Sequence, residues 1–231
     1  MDTDRPQGDP VDLSTDCIFP PHEKIAGSLV ELLPLKQEHA DGLFPTIGGE
    51  EHPSLYDYMG YGPFNDLDAF RSHITHLSNG KDPQFHAIVD KETSKLVGQL
   101  SYLRIDPKNR VIEIGHIMYS PSLQKTPQAT EVFYLLANKA FENGYRRLEW
   151  KCDANNAASR GAAGRLGFTF EGVFRQHMIV KGRNRDTAWF SILDKEWPAR
   201  KRAFEAWLDP SNFDQERKQV KALKQFQDAY S

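Results

Sequence analysis

The residues with the clearest potential for chemistry lie between Glu113 and Gly172. A strand-like run ending in EIGHIMY is followed by the loop SPSLQKTPQAT, and the loop leads directly into an amphipathic segment. Backbone N–H groups at the start of a helix, together with the positive end of the helix dipole, bind a pyrophosphate without any cationic side chain. The order of these segments therefore predicts a phosphate-binding loop that opens onto a helix N-terminus.

The hydrophobic pattern changes across this loop. Val111 to Tyr119 is rich in Ile, Val and Tyr and stops at Ser120-Pro121, where proline removes a backbone donor and forces a turn. From Gln128 the apolar residues recur at helical spacing, and Gly144 follows the last of them. We therefore expect a strand, a loop and a helix in this order.

The loop sequence QKTPQA, residues 124–129, resembles the Q/R-x-x-G-x-G/A loop of the GNAT acetyltransferase superfamily. Pro127 stands where that family usually has glycine, whereas Ala129 fits its small-residue position. Further along, NAAS at 156–159, GF at 167–168 and EG at 171–172 are similar to the N-x-x-S and GF-x-x-EG pattern of one branch. That branch, the RimJ/RimL-like enzymes, acetylates the N-terminal alanine or serine of ribosomal proteins. A looser resemblance extends from about residue 29 to residue 193.

The resemblance implies an α/β fold with a GNAT-like mixed, mostly antiparallel central sheet flanked by helices. It also implies direct transfer of an acetyl group from acetyl-CoA to a primary amine in a ternary complex. The sequence has no residues at metal-ligand spacing, so no metal is expected. The strand backbone would lie beside the cofactor and donate to the oxyanion, and Gly115 would ease the bulge that frees its edge. The expected cofactor-binding residues are Ile117, Met118, Tyr119, Gln124, Lys125, Thr126, Gln128, Ala129, Thr130, Asn156 and Ser159.

Acyl transfer to an amine requires a neutral amine, a donor for the oxyanion and a proton for the leaving thiolate. Many GNAT enzymes supply that proton from a tyrosine four residues before the Gly-Phe pair, and this chain has Ala163 there. Ser159 is the hydroxyl that matches the ribosomal-protein branch. For the base, Glu171 matches the EG element and Glu113 lies on the strand beside the cofactor. Either carboxylate could act directly or through water, and Glu171 ranks slightly ahead.

Several neighbouring residues carry two interpretations. Histidine as a residue type has an ordinary pKa near neutrality, which makes His116 and His177 candidates for catalysis, but a strand histidine is more often a packing residue. Trp150 could stack on a planar substrate, or belong to the core. The cluster Lys181, Arg183 and Arg185 could receive an acidic substrate or a cofactor phosphate, or be solvated charge on a hairpin. The insert TIGGEEHPSLYDYMGYGPF could recognise substrate through its aromatic side chains, or pack them onto the core.

The sequence does not distinguish among several acceptor amines. A protein N-terminus and an aminoacyl small molecule both present an α-amino group, and a secondary-metabolite or xenobiotic amine would undergo the same chemistry. A non-catalytic acyl-CoA-binding protein is the alternative from another class, motivated by Pro127 and Ala163.

Hydrophobic periodicity predicts the remaining elements. Strands are expected at 29–35, 85–89, 96–105 and 147–152, and helices at 38–44, 66–77 and 156–166. A hairpin of 168–180 and 187–193 should enclose the turn KGRNRD, and a helical tail should break at Asp209-Pro210. The expected organisation is an irregular N-terminal arm (1–27), a GNAT domain (28–195) and a C-terminal helical extension (196–231).

Composition limits the classes of function. With 231 residues and 39% hydrophobic content, the chain can bury the core of one full-sized domain. A net charge of -3 provides no global basic field, so neither nucleic acid nor a membrane is an expected partner. Cys17 and Cys152 lie far apart, which argues against a disulfide framework. With no apolar run near about 20 residues and no signal-like N-terminus, we expect a cytoplasmic monomer or homodimer.

Overall fold

A single eight-stranded sheet organises the computed structural model, which describes residue 5 and residues 7–230. Its strands lie in the order β1-β2-β3-β4-β5-β6-β8-β7, and every neighbouring pair is antiparallel except β5 and β6. The predicted mixed, mostly antiparallel sheet is thereby confirmed. The strands are β1 Ile25–Ala26, β2 Val30–Pro34, β3 Gln84–Asp90, β4 Leu96–Asp106, β5 Val111–Tyr119, β6 Arg147–Asp153, β7 Thr169–Val180 and β8 Arg183–Leu193.

Helices cover both faces of the sheet. They are α1 Ala40–Ile47, α2 Leu67–Ser78, α3 Pro127–Glu142, α4 Ala157–Arg165, α5 Trp197–Leu208 and α6 Leu223–Tyr230. We call the face covered by α1 and α2 the front face, and the face covered by α3, α4 and α5 the back face. The predicted helical tail with a break at Asp209-Pro210 is confirmed, since a 3-10 turn, Pro210–Asn212, separates α5 from the last helix.

The hairpin differs from the sequence-based prediction. Its turn contains only Lys181 and Gly182, both with positive φ, 48° and 73°, so β8 begins at Arg183 rather than at Thr187. Two consecutive left-handed residues give a turn whose twist matches the flanking strands. The charges of KGRNRD therefore lie largely on a strand and not in a six-residue loop.

Two apolar clusters hold the layers together. On the back face, Phe133 and Leu136 of α3 pack with Trp150, Phe168 and Phe204. On the front face, residues of α1 and α2 such as Leu43 and Phe70 pack with Met118 of β5.

The insert between α1 and α2 belongs largely to the front-face cluster. Tyr56, Tyr61 and Phe64 pack into it, which confirms the core interpretation for these three aromatic residues. Tyr58 remains 40% exposed.

The segment before β1 is largely irregular and contacts the β4–β5 turn and the end of α3. Arg110 donates from Nη1 to the Asp12 carbonyl at 3.0 Å, and the Ile18 amide donates to the Asn143 carbonyl at 3.1 Å. The predicted arm also includes residues 1–4 and 6, and the predicted extension includes Ser231. These six residues lie outside the described part of the chain.

Helix α3 anchors the first strands through one buried carboxylate. Glu131 is 5% exposed and accepts hydrogen bonds from the amides of Ser28, Leu29 and Val30 at 2.8, 2.7 and 2.8 Å. Hydrogen bonds to a charged group are stronger than neutral ones. The N-terminal half of α3 is thus fixed against the start of β2, which holds the helix N-terminus in place.

We expect Glu131→Gln to lower the free energy of unfolding by about 1.5–3 kcal/mol, because a carboxamide loses the ionic component and turns a donor toward backbone N–H groups. Urea denaturation measures this change. The control is Glu38→Gln, whose carboxylate is exposed and 3.6 Å from Lys36. Equal stability of the two variants would contradict the anchoring role.

Candidate functional site

A wedge-shaped gap opens between the two parallel strands. β5 and β6 pair only from Val111–Arg147 to Glu113–Glu149, although both strands continue beyond this point. Residues 114–119 of β5 therefore have one edge without a partner in β6. We call this gap the wedge and the Glu113–Glu149 pair its apex. A free strand edge at a sheet interior offers main-chain donors and acceptors to an extended ligand.

A β-bulge directs the free edge of β5. Gln99 pairs with Met118 and Ser101 with Gly115, so His116 and Ile117 lie opposite the single residue Leu100. The predicted bulge is present, but the left-handed residue is His116, with φ of 50°, and not Gly115. A left-handed conformation costs a non-glycine residue about 1–2 kcal/mol. Such strain is often retained at functional sites.

The loop before α3 lies beyond the end of β5. Thr126 caps the helix by accepting from the Ala129 amide at 3.2 Å, and Pro127 is the first helical residue. This position suits proline, because a backbone N–H at the first helical residue would have no acceptor within the helix. Lys125 has a φ of 63°, which turns the backbone just before the helix N-terminus. Left-handed turns of this kind form anion-binding concavities of amide groups.

The side chains of Gln124, Gln128 and Thr130, which were also predicted to bind the cofactor, contact other protein groups. Gln124 donates from Nε2 to the Tyr119 carbonyl at 2.9 Å, and Thr130 Oγ1 accepts from Arg165 at 3.1 Å. Gln128 Nε2 lies 3.4 Å from Asp90 Oδ2. These side chains shape the loop, whereas main-chain groups remain the candidate anion ligands.

The side chains of β5 alternate about the wedge. Met118 is 2% exposed and packs into the front-face cluster. Ile117 and Tyr119 pack against the back-face cluster, and burial raises the pKa of the Tyr119 hydroxyl. Their contribution to a ligand would therefore come from the backbone, as predicted for an extended pantetheine arm.

Across the wedge, α4 presents Ser159. Asn156 caps this helix by accepting from the Ser159 amide at 3.0 Å. The Trp150 indole N–H donates to Ser159 Oγ at 3.0 Å, and the Trp150 ring packs against Phe133 and Phe168. Trp150 is thus a core residue and not a stacking platform. Because an indole N–H only donates, it occupies an acceptor position of the hydroxyl and leaves the hydroxyl proton for another partner.

Ala163 lies one helical turn further along α4. It is 0% exposed and belongs to the back-face core. The usual tyrosine therefore lacks both a counterpart and space at this position.

Six charged side chains form a line across the front face from β4 to β7, and we call them the charge ladder: Arg104, Glu113, Lys151, Glu149, Arg147 and Glu171. Lys151 is at its centre, with Nζ at 3.0 Å from Glu113 Oε2 and 2.6 Å from Glu149 Oε2. Its side chain is 2% exposed, and Nζ lies 3.7 Å from the centroid of the Trp189 ring. One buried ammonium group thereby bridges the two carboxylates that face each other at the apex. Arg104 and Arg147 supply the remaining positive charge.

The two predicted bases occupy different parts of this ladder. Glu171 forms a bidentate ion pair with Arg147 at 2.7 and 2.5 Å and accepts from Ser191 Oγ at 2.7 Å. The Arg147 guanidinium holds the pKa of the Glu171 carboxyl below its ordinary value, which weakens it as a base. Glu113 is at the apex, bound by Lys151 and by Arg104 Nε at 2.7 Å. Cations therefore engage both predicted carboxylates, and the choice of base between Glu171 and Glu113 stays a prediction.

His116 and two loop contacts complete the wall on the front face. The His116 ring stacks on Tyr61 at 5.9 Å, and burial, with Arg104 and Arg185 nearby, lowers the pKa of its imidazole. Tyr58 donates from its hydroxyl to the Asn155 carbonyl at 3.2 Å, so the insert reaches the turn before α4. The insert thus borders the mouth of the wedge through Tyr58. Unlike Tyr56, Tyr61 and Phe64, this side chain does not pack into the front-face cluster.

Lys151, Arg104 and Trp189 were not identified from the sequence. A signal existed in β6, where Glu149 and Lys151 alternate with apolar residues in a strand that pairs on both sides. Charged residues on the covered face of an interior strand require partners. The partners themselves come from distant strands and were not visible in the sequence.

We expect Lys151→Met to lower the free energy of unfolding by about 3–5 kcal/mol, because it leaves two buried carboxylates without their shared cation. The control is Lys224→Met, which removes an exposed pair with Asp228 at 2.7 Å and should change stability by less than about 0.5 kcal/mol. Urea denaturation at neutral pH compares the variants. Similar losses for both would show that Lys151 does not stabilise the apex.

Neither a metal site nor a membrane span is found in the described part of the chain. Among residue 5 and residues 7–230, no group of three or more His, Cys, Asp or Glu is placed to hold a metal ion. No helix within these same residues has the length and apolar character needed to cross a membrane. Cys17 and Cys152 are both free thiols.

Known proteins share both the sequence pattern and the fold. The family described as Acetyltransferase (GNAT) domain matches residues 30–169. The uncharacterized N-acetyltransferase p20 of Bacillus licheniformis is 30% identical over 150 residues, which are 63% of this chain and 83% of that protein.

Two solved structures extend the comparison. A GCN5-related N-acetyltransferase from Brucella melitensis is 44% identical with a TM-score of 0.91, over 94% of this chain and 99% of that one. RimL, the ribosomal L7/L12 alpha-N-protein acetyltransferase, shares the fold at 22% identity and a TM-score of 0.64, over 74% of this chain and 94% of its own. The wedge, the helix N-terminus beside it and these matches together show that the chain belongs to the GNAT family of N-acetyltransferases.

Proposed function

We propose that this acetyltransferase transfers the acetyl group of acetyl-CoA directly to the α-amino group of a protein N-terminus or of an aminoacyl small molecule. The observation that carries the proposal is the wedge, because its free β5 edge, the α3 N-terminus and Ser159 converge on one gap. The amine nitrogen attacks the thioester carbonyl carbon and forms the C–N bond. The C–S bond then breaks, the amine loses a proton and coenzyme A leaves as the thiol.

The cofactor would lie along the wedge. The main chain of Ile117, Met118 and Tyr119 pairs with the pantetheine amides, and an N–H of this edge donates to the oxyanion. The pyrophosphate binds the main chain of residues 124–130 at the start of α3, where the helix dipole favours an anion. Asn156 retains its side-chain N–H₂ for the pantetheine, because its oxygen caps α4.

Ser159 is proposed to protonate the departing thiolate or donate a hydrogen bond to it. The Trp150 indole N–H occupies an acceptor position of Ser159 Oγ. This contact orients the hydroxyl proton away from the indole, and withdraws electron density from the oxygen. A core tryptophan would thus direct a catalytic hydroxyl.

Glu113 is proposed as the carboxylate that guides removal of the amine proton. It is 3% exposed and is placed where the wedge begins. Since Arg104 and Lys151 bind its oxygens, the proton would pass to a water held near this carboxylate. Glu171 instead joins β7 to β6 through Arg147.

The function predicts amine-dependent release of coenzyme A thiol from acetyl-CoA across a panel of α-amines. Ala129→Phe should abolish cofactor binding, because a bulky side chain in the first turn of α3 blocks the pyrophosphate. The matched control is Ala199→Phe, in the first turn of α5, which also has proline near its N-terminus. This control should bind acetyl-CoA like the parent in calorimetry.

Two outcomes contradict this proposal. Unchanged acetyl-CoA affinity in folded Ala129→Phe would show that the loop is wrongly assigned. Tight acetyl-CoA binding without thiol release for any amine would favour a non-catalytic acyl-CoA-binding protein.

Ser159→Ala should reduce the single-turnover rate by about 10-fold or more at saturating acetyl-CoA. This effect is small for the loss of a general acid, because coenzyme A is already a fair leaving group. Cofactor affinity should change much less. Trp150→Phe keeps an aromatic ring but removes the indole donor, so it should give a smaller loss. Transfer at the parental rate by Ser159→Ala would remove the serine from the mechanism.

A further inference from the structure

The hairpin of β7 and β8 is strongly basic in a chain of negative net charge. Residues 175–186 contain four basic side chains, Arg175, Lys181, Arg183 and Arg185, and a single acid, Asp186. The complete chain has a formal charge of -3. Lys181 donates from Nζ to the Tyr56 carbonyl at 2.9 Å, which brings the hairpin tip to the insert at the mouth of the wedge.

Arg185 occupies a distinctive position on this hairpin. Thr187 pairs with Asp153, the last residue of β6, so Arg185 lies on β8 just beyond the end of β6. Alternation along β8 places Arg185 on the front face with Thr187 and Trp189. Arg185 also lies close enough to the β5 bulge to lower the pKa of His116. The wedge therefore opens between Arg185 and the bulge.

Two buried donors on the front-face side of β8 have no acceptor. Arg185 Nε and Trp189 Nε1 are both shielded from solvent, and neither makes a hydrogen bond within the described residues. An unsatisfied buried donor costs about 1–3 kcal/mol, and folded proteins retain few of them. Two such donors on one face of one strand indicate that a bound molecule supplies the acceptors.

Arg185 also differs from its neighbours in having no carboxylate partner among the described residues. Arg104, Lys151 and Arg147 each form an ion pair with a glutamate on the front face. Arg185 has no ion pair within residue 5 and residues 7–230. An unpaired guanidinium with a fixed fork of donors matches a carboxylate, which accepts two parallel hydrogen bonds from it.

From these observations we propose that the acceptor amine carries a carboxylate, which binds Arg185, while Trp189 Nε1 donates to a neutral carbonyl of the same molecule. The proposal rests on the proposed function and names its substrate class, an acidic α-amine. Among protein N-termini, it selects those with Asp or Glu directly after the first residue. The charge ladder cannot replace Arg185 in this role, because its three cations are already neutralised by its three carboxylates.

The test uses two acceptors of nearly equal shape, Ala-Asp amide and Ala-Asn amide. The parent enzyme should have a kcat/KM for Ala-Asp amide about 10-fold to 100-fold higher, the range expected for a hydrogen-bonded charged group. Arg185→Gln should remove this preference by reducing only the rate with Ala-Asp amide. Its affinity for acetyl-CoA should be unchanged.

Arg183→Gln is the matched control, since it removes the same charge from an exposed position two residues away. It should keep most of the preference. An equal loss in Arg183→Gln and Arg185→Gln would show a general field of the hairpin and would overturn the Arg185 site.

A second measurement does not depend on turnover. The Trp189 indole N–H resonance, assigned with Trp189→Phe, should shift when Ala-Asp amide is added to the parent with coenzyme A, and much less in Arg185→Gln. Acetylation of both dipeptides at equal rates without this shift would overturn the inference and leave the acetyltransferase function standing. The shift without acetylation of any amine would support the site and contradict the proposed function.

Discussion

The placement of one buried ammonium group between two carboxylates underlies the geometry of the site. Lys151 lies between Glu113 and Glu149 at the last paired position of the two parallel strands. Without it, two like charges would face each other in a region shielded from water, where they are strongly unfavourable. With it, the strands are held together at the apex and separate beyond it. The wedge therefore begins at a defined residue pair.

The rest of the charge ladder extends this constraint through the sheet. Arg104 binds Glu113 from β4, and Arg147 binds Glu149 in β6 and Glu171 in β7. Side chains of four strands are thus joined on the front face beside an apolar back face. Buried ion pairs contribute little net stability compared with an apolar core, but they are specific about geometry. This specificity is well suited to a site that must hold a strand edge open.

Helix α3 links the two sides of the wedge to the rest of the molecule. Its Glu131 accepts hydrogen bonds from the start of β2, and its Phe133 packs against Trp150. Trp150 in turn donates to Ser159. A displacement of α3 would therefore reach both its N-terminus, the candidate anion site, and the Ser159 hydroxyl.

Local sequence signals were sufficient to predict the family, the strand–loop–helix order at residues 111–142 and the second pattern that begins at Asn156. These features depend on local periodicity, proline and capping residues, which act over a few positions. The sequence also predicted a bulge in β5, but assigned it to Gly115, because glycine is the usual left-handed residue. Only the pairing with β4 shows that His116 takes this conformation.

Which charged residues contact one another became clear only from the folded chain. Glu171 matched a family pattern, yet its contact with Arg147 across the sheet engages the carboxylate and lowers its pKa. Lys151 and Trp189 belonged to no predicted set, and Arg185 was expected only as one of three hairpin cations. Their surroundings come from strands that are distant in sequence. The pKa of a group and the partner of a charge depend on distances between atoms in the folded chain. These distances are set only when the strands pair, so a pattern along the sequence does not contain them.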